Sequence, residues 1–262
     1  MTVHDPADRT MLGTRMQSEV FASPPAEPRT LLQSSWRDYI FAEVWTRPGL
    51  DRRSRLMVAM AGAAMSAGSL APLEAYIRGA LSLGEFTQDE LREAALQIGV
   101  YGGWSRAVAF DEALDRVVAD LRLDAAGFAP IRDRPWDVAT RHEEGRISYE
   151  KVMVSPAPPP QSAFFEGGII NFVFCEMWTR PGLDQRARRW ITLVGVANAA
   201  ARTPIHSHVY GAMASGDASK EEMLEFVLQY ALHSGWPMAS VVQEAVFKQA
   251  PRVEQGLPFE TP

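Results

Sequence analysis

"EVWTRPGLD" spans Glu43–Asp51, and "EMWTRPGLD" spans Glu176–Asp184; the two differ only where Val44 becomes Met177. Repetition at a long period decides an architecture before any local propensity does. From Glu43 to Glu176 is 133 residues, half of the 262-residue chain. Downstream the register tightens to 132. Pro72 then meets Pro204, Gly79 meets Gly211, Gly84 meets Gly216, Gln97 meets Gln229, and Gly103-Trp104 meets Gly235-Trp236. The chain reads as one unit used twice. The first repeat covers residues 1–125, a linker and leader 126–165, and the second repeat 166–262.

The unit reads as helical. Asp51 and Asp184 each precede a run rich in Ala, Leu, Met and Val, where an N-cap belongs. Thr87-Gln-Asp-Glu90 and Ser219-Lys-Glu-Glu222 match the capping box, in which hydroxyl and carboxylate satisfy free N–H groups reciprocally. Gly84 and Gly216 stop the helix before each box. Leu91, Ala94, Ala95 and Ile98 recur at three- and four-residue spacing, as do Met223, Phe226, Val227 and Tyr230. No alternation marks a strand, so the fold class expected is all-α. Pro156–Pro160, "PAPPP", favours extended backbone. "RHEEGRISYEKVMVSP" is a leader to the second unit, and "RTMLGTRMQSEVFASP" a weaker echo before the first.

Composition narrows the partners. A net charge of −6 without a basic block argues against nucleic acid. No apolar window reaches the ~20 residues that span a bilayer. The start "MTVHDPADRT" lacks the apolar core of a secretory leader. The single cysteine, Cys175, fits a reducing compartment. A cytoplasmic protein is the expectation, with no membrane association.

The order W-x-R-P-G-L-D, an Arg in the following helix, "H-x-x-G-A", "G-x-[ST]-x-x-E" and "G-x-P" resembles the carboxymuconolactone decarboxylase family, within the AhpD-like superfamily. The resemblance implies two AhpD-like helical repeats forming a pseudo-dimer in one chain. It also implies a homo-oligomer, a trimer of tandem chains. The family's thiol peroxidases resemble E-x11-C-x2-C-x3-H. Anchoring that histidine on His208 puts Arg189, Ala201 and Pro204 at the other positions, so the relay is missing. A lone cysteine cannot cycle a disulfide within the chain. The resemblance implies the decarboxylase branch, with no cofactor and no metal.

Loss of CO2 from a carboxylated lactone leaves a dienolate. Its oxygen needs a cation or hydrogen-bond donor, and its carbon needs a proton. His208 stands at the family's histidine position and is the first candidate acid, its ordinary pKa of roughly 6.5 lying near working pH. The catalytic candidates are His208, Arg180, Glu176 and His233. Arg188, Trp236, His206, Tyr76, Tyr101 and Arg47 are substrate-binding candidates. Several keep a structural alternative. Arg47 and Arg180 either grip a substrate carboxylate or fix the Pro-Gly turn by pairing with Glu43 and Glu176. Glu176 either pairs with an Arg or orients His208. His206 lies on a different helical face from His208. The i, i+2 spacing of those two histidines does not suit zinc. The first half has Tyr76 where the second has His208, Tyr101 where it has His233, and Ser105 where it has Pro237. One competent site per chain is expected, built on the second half, with the first half as scaffold or lending Arg78, Tyr76 or Tyr101.

The expected activity is a cofactor-independent acid–base lyase acting on a small or medium conjugated carboxylic acid or lactone. The alternatives are an isomerase, cyclase or dehydratase for a polyketide-like metabolite, and a non-catalytic binding or scaffold protein.

Overall fold

The computed structural model describes residues 5–66, 68–124, 127, 129–132 and 137–261. Six residues of the expected linker (126, 128 and 133–136) lie outside the described ones, as do residue 125 at the end of the first repeat and residues 1–4 of the expected leaderless start. The first half runs α1 (Pro6–Phe21), α2 (Leu31–Ser35), a π-helix (Trp36–Val44), α3 (Arg52–Met65), α4 (Ala71–Ser82), α5 (Gln88–Gly102) and α6 (Trp104–Leu121). The second runs α7 (Val138–Met153), a π-helix (Phe164–Met177), α8 (Gln185–Asn198), α9 (Arg202–Ala214), α10 (Lys220–Ser234) and α11 (Trp236–Glu254). Among the described residues there is no strand, so the fold is all-α. The two leader texts form α1 and α7.

Helix ends follow the local chemistry. Asp51 Oδ1 accepts from the Ser54 N–H and Asp184 Oδ1 from the Ala187 N–H, both at 2.8 Å. Both capping boxes close. Gly103 (φ 92°) and Gly235 (φ 87°) turn the chain between consecutive helices with a backbone that L side chains resist. The π-helices have no counterpart in the sequence reading. In each the last ladder bond spans five residues, Trp45 N–H to Ile40 C=O at 3.1 Å and Trp178 N–H to Val173 C=O at 3.0 Å. The Pro-Gly of the repeated phrase then breaks the helix.

The packing exchanges elements between halves. Helices α3 and α8 are buried along almost their whole length and lie against each other. Ser54 and Trp190 join them, the Trp190 Nε1–H donating to the Ser54 hydroxyl at 2.9 Å. α5 of the first half packs on α8 of the second, and α10 of the second packs on α3 of the first. One hydrophobic core therefore draws on both halves. Glycine sets both crossings. A Cβ on Gly62 would sit 3.1 Å from the Cβ of His233, and one on Gly195 would sit 2.6 Å from the Cβ of Tyr101. These two glycines fix how closely His233 and Tyr101 approach the central pair.

Candidate functional site

The repeated phrase acts as a cross-brace. Arg180 Nε and Nη2 donate to Glu93 Oε2 at 2.8 Å and Oε1 at 2.5 Å. Arg188 Nη2 adds a bond to Glu93 Oε2 at 3.1 Å and another to the Arg180 carbonyl at 3.0 Å. The mirror set holds Glu225. Arg47 gives Nε to Oε2 at 2.8 Å and Nη2 to Oε1 at 2.5 Å, while Arg55 Nη2 reaches Oε2 at 2.9 Å and the Arg47 carbonyl at 2.9 Å. The expected partners Glu43 and Glu176 are corrected to Glu225 and Glu93, each from the opposite half. Glu43 instead pairs with Arg9 and Glu176 with Arg141. Arg47 and Arg180 thus spend their forks on protein carboxylates, while Arg188 bonds Glu93 and two carbonyls and keeps its Nη1 without a hydrogen-bond partner. Burial pushes the Glu93 carboxyl up, but the Arg180 and Arg188 hydrogen bonds outweigh it and hold it below its ordinary range.

The same crossing assembles two His–Tyr pairs. Tyr101 of α5 meets His208 of α9 with rings perpendicular at 5.5 Å. Tyr76 of α4 meets His233 of α10 at 5.5 Å and 83°. His208 occupies the repeat position of Tyr76, and His233 that of Tyr101. Each pair therefore takes one residue from each half, with the residue types exchanged. Of the two expected roles for the first half, scaffold or lender of a side chain, the contact of Tyr101 with His208 matches the second, and His208 and His233 lie in different pairs.

The His208–Tyr101 pair lies beside a buried cation. Arg189 of α8 is fully buried; its Nε donates to Asp217 Oδ2 at 2.9 Å and one Nη to the Val152 carbonyl at 2.6 Å. Its guanidinium lies over the Trp178 ring at 5.1 Å. Trp178 Nε1–H donates to the Tyr101 hydroxyl oxygen at 2.9 Å, leaving the phenol proton to give. Behind them Gln97 donates to Thr192 Oγ1 at 3.0 Å. Three polar atoms of this cluster have no partner: Arg189 Nη1, His208 Nδ1 and Gln97 Oε1. Unsatisfied buried groups are rare in folded proteins, and each costs about 1–3 kcal/mol.

Protonation follows from burial. His208 is 7% exposed. Burial first, and then the Arg189 charge, lower its pKa to about 3. Burial raises Tyr101 to about 12, with the Trp178 hydrogen bond and Arg189 opposing. At neutral pH the pair is a neutral imidazole beside a protonated phenol. The expectation of a histidine near its ordinary pKa is corrected accordingly. Arg189 itself is lowered by burial, against the pull of Asp217.

A cleft of about 750 Å³ opens next to this cluster, between residues 129–132, α7 and the end of the second π-helix. Its wall includes Trp178 and Val152, the residues that touch Tyr101 and Arg189 from the other side. Arg180 donates to the Pro130 and Ile131 carbonyls at 3.1 and 2.9 Å, which ties the linker over the cleft. Cys175 and Glu176 also line it. Glu176 therefore faces the cleft without orienting His208.

The remaining candidates lie elsewhere. His206 is buried on the other side of α9, its Nδ1 3.2 Å from Gln249 Nε2. Trp236 is 49% exposed, with its ring 6.2 Å from Tyr39. Arg78 pairs with Asp120 at the surface. Among the described residues no group of three His, Cys, Asp or Glu is placed to hold a metal ion. None of the described helices is long and apolar enough to cross a membrane.

Sequence reasoning missed Arg189, Glu93, Glu225, Thr192 and the contact of Trp178 with Tyr101. One signal was available. In the 133-residue register Arg189 falls on Leu56 and Thr192 on Ala59, so these two polar positions of α8 have apolar counterparts in α3.

Comparison with known proteins places the first half. Residues 31–116 match the carboxymuconolactone decarboxylase family. The 4-carboxymuconolactone decarboxylase of Acinetobacter baylyi (strain ATCC 33305 / BD413 / ADP1) is 33% identical over 87 residues, 32% of this chain. The match spans 64% of that relative's length. The matched family segment is the half whose site positions carry tyrosine in place of histidine. Residues 31–116, which supply Glu93, Gln97, Tyr76 and Tyr101, are the segment that matches this family.

Proposed function

We propose that the chain is a tandem pseudo-dimer of this family and a cofactor-independent decarboxylase for a small conjugated lactone or acid. The observation that carries the reading is the buried cluster of Arg189, His208 and Tyr101, with Nη1 and Nδ1 unpartnered. A substrate carries an anion, and a buried guanidinium N–H without a partner is a receptor for one. Entry is from the cleft, past Trp178.

In this reading the C–C bond to the carboxylate breaks, CO2 leaves, and the electron pair enters the conjugated system as a dienolate. Arg189 and the Tyr101 hydroxyl donate to the oxygen that gains charge. His208 supplies the proton to carbon. Its imidazole is neutral in the empty site. An anion beside it favours the charged form, so the ring takes up a proton as substrate binds and returns it in the chemical step. Arg180, Arg188 and Glu93 act at one remove, fixing α5 on α8 and hence Tyr101 against His208.

The test is CO2 release from 4-carboxymuconolactone by the wild type and by His208→Ala, with circular dichroism on both. Turnover that drops by roughly 100- to 10,000-fold in the folded variant supports the reading. A folded wild type that releases no CO2, or a variant of equal rate, rejects it. Turnover without CO2 release on polyketide-like conjugated acids would favour an isomerase or cyclase using the same cluster.

A further inference from the structure

The decarboxylase reading uses the larger cleft only as a passage, yet the cleft has a chemistry of its own. Glu144, Ile147, Ser148, Lys151 and Val152 line it, and their spacing is one face of α7. Cys175, Trp178 and Thr179, at the end of the second π-helix, line it from the facing side. Gly145 lets the two walls approach closely, since a Cβ there would collide with the Ile170 carbonyl.

The duplicated leader shows what is particular to this face. In the 132-residue register Arg15 falls on Ile147, Met16 on Ser148 and Glu19 on Lys151. On α1 the two charges face each other, Arg15 Nε lying 3.7 Å from Glu19 Oε1. On α7 they are replaced by an isoleucine and a lysine. Lys151 has no hydrogen bond or ion pair among the described residues. Its charged neighbours in the cleft are engaged: Glu176 pairs with Arg141, Arg180 with Glu93, and Glu144 accepts from the Cys175 thiol at 3.8 Å. Glu144 and Lys151 stand two helical turns apart, roughly 10 Å along the axis. The cleft is therefore polarised. A carboxylate and a thiol mark one end, an unpaired ammonium marks the other, and Ile147 lies between them, 54% exposed.

A volume of about 750 Å³ suits a drug-sized molecule. Ile131, on the linker side, adds a second exposed apolar side chain to the lining. We infer that the cleft is itself a binding site for an amphipathic organic anion, a fused-ring monocarboxylate being the simplest. The Lys151 ammonium and the Ser148 hydroxyl, one turn back on the same face, donate to its carboxylate. Its rings lie against Ile147 and Ile131, and its far edge reaches Cys175. The reverse orientation would set the carboxylate against Glu144, a like charge, which fixes the direction of binding. The site stands whether or not CO2 is released at the buried cluster.

The probes are 2-naphthoate and its uncharged isostere 2-naphthamide, measured by isothermal titration calorimetry. Naphthoate should bind the wild type more tightly than the amide does. Lys151→Met keeps the stem and deletes the charge, so it should weaken naphthoate roughly fivefold and leave the affinity for the amide unchanged. Ile147→Arg/Lys151→Glu gives α7 the pattern of α1 and should abolish naphthoate binding. Both residues are exposed, and circular dichroism checks that the double variant is folded. His208→Ala should bind naphthoate as the wild type does, which separates this site from the buried cluster. Naphthoate should also slow maleimide labelling of Cys175, read by mass spectrometry on the chain's single thiol. No naphthoate binding overturns the inference. So do equal affinities for acid and amide, an affinity insensitive to Lys151→Met, binding kept by the folded double variant, binding lost in His208→Ala, or binding that leaves Cys175 labelling unchanged.

Discussion

Acidification below pH 6.5 should destabilise this fold through two histidines, well before its carboxylates protonate. Burial lowers His208 to about 3 and His233 to about 4, from an ordinary 6.5. A folded state that refuses a proton loses stability as pH falls, because the unfolded chain accepts it. The contribution is fully present above pH 6.5 and drains away as pH falls toward about 4 and then 3. Each histidine contributes a slope of about 1.4 kcal/mol per pH unit in that window, so about 2 kcal/mol each is lost by pH 5. The pair together cost about 4 kcal/mol, a large share of the 5–15 kcal/mol typical of a folded domain. In a chain of this size that corresponds to a fall in Tm of roughly 8–16 °C. Glu93 and Glu225 are held below their ordinary range and lose their contribution only at lower pH. The assay is urea unfolding at pH 7.5, 6.5, 5.5 and 5.0 for the wild type and for His208→Gln/His233→Gln. The double variant should show a much shallower profile above pH 5, with the remaining slope from His206, which burial and then the Lys248 charge also lower. A wild type as stable at pH 5 as at pH 7.5, or a double variant that keeps the same slope, would refute the argument.

Four further outcomes follow from the same geometry. Glu93→Gln leaves Arg180 and Arg188 as uncompensated buried charges and should cost about 3–5 kcal/mol of stability, read by denaturant unfolding. Gly195→Ala drives a methyl against Tyr101 and should lower kcat more than Gly84→Ala, where a Cβ meets nothing within 4 Å, though the positive φ there costs some stability. If His208 is the proton donor, kcat/KM should fall as pH rises from about 5 to 8, because the free enzyme holds ever less imidazolium; a flat profile removes that role. Cys175 lines the larger cleft, with its thiol raised to about 11 by burial and then by the Glu144 charge. Maleimide should react slowly there and then block turnover, while Cys175→Ser stays active and a chelator changes nothing. Fast labelling without loss of activity would place the substrate entrance elsewhere.

The parts of this structure legible in the sequence are those set by neighbours along the chain. Asp51, Asp184, Thr87 and Ser219 cap the helices that the spacing predicts, because a cap needs only residues three apart. The duplicated phrase is visible because both copies solve one local problem, a Pro-Gly break held by an arginine from the next helix. Its partner was not, because Glu93 is 87 residues from Arg180 and Glu225 is 178 from Arg47. A repeat states that two units exist and says nothing of which helix lies on which. The π-helices escaped for a related reason: one extra residue per turn barely alters an apolar pattern. The exchange of His and Tyr between the columns 76/208 and 101/233 was plain in the alignment of halves. It reads as two composite pairs only once α5 is known to lie on α8 and α10 on α3. Arg189 entered the sequence argument solely as a mismatch to a peroxidase relay. Its force as a buried cation comes from a tertiary setting that periodicity does not carry.

The most direct test of the composite site is the rate of CO2 release from 4-carboxymuconolactone by Tyr101→Phe beside the wild type. Tyr101 belongs to the first half and His208 to the second, so only a site shared between halves makes the phenol matter. The account predicts a loss of roughly 100-fold or more in kcat with the fold intact, for one donor removed from the developing oxyanion. A Tyr101→Phe variant as fast as the wild type would contradict it and return the chemistry to the second half alone.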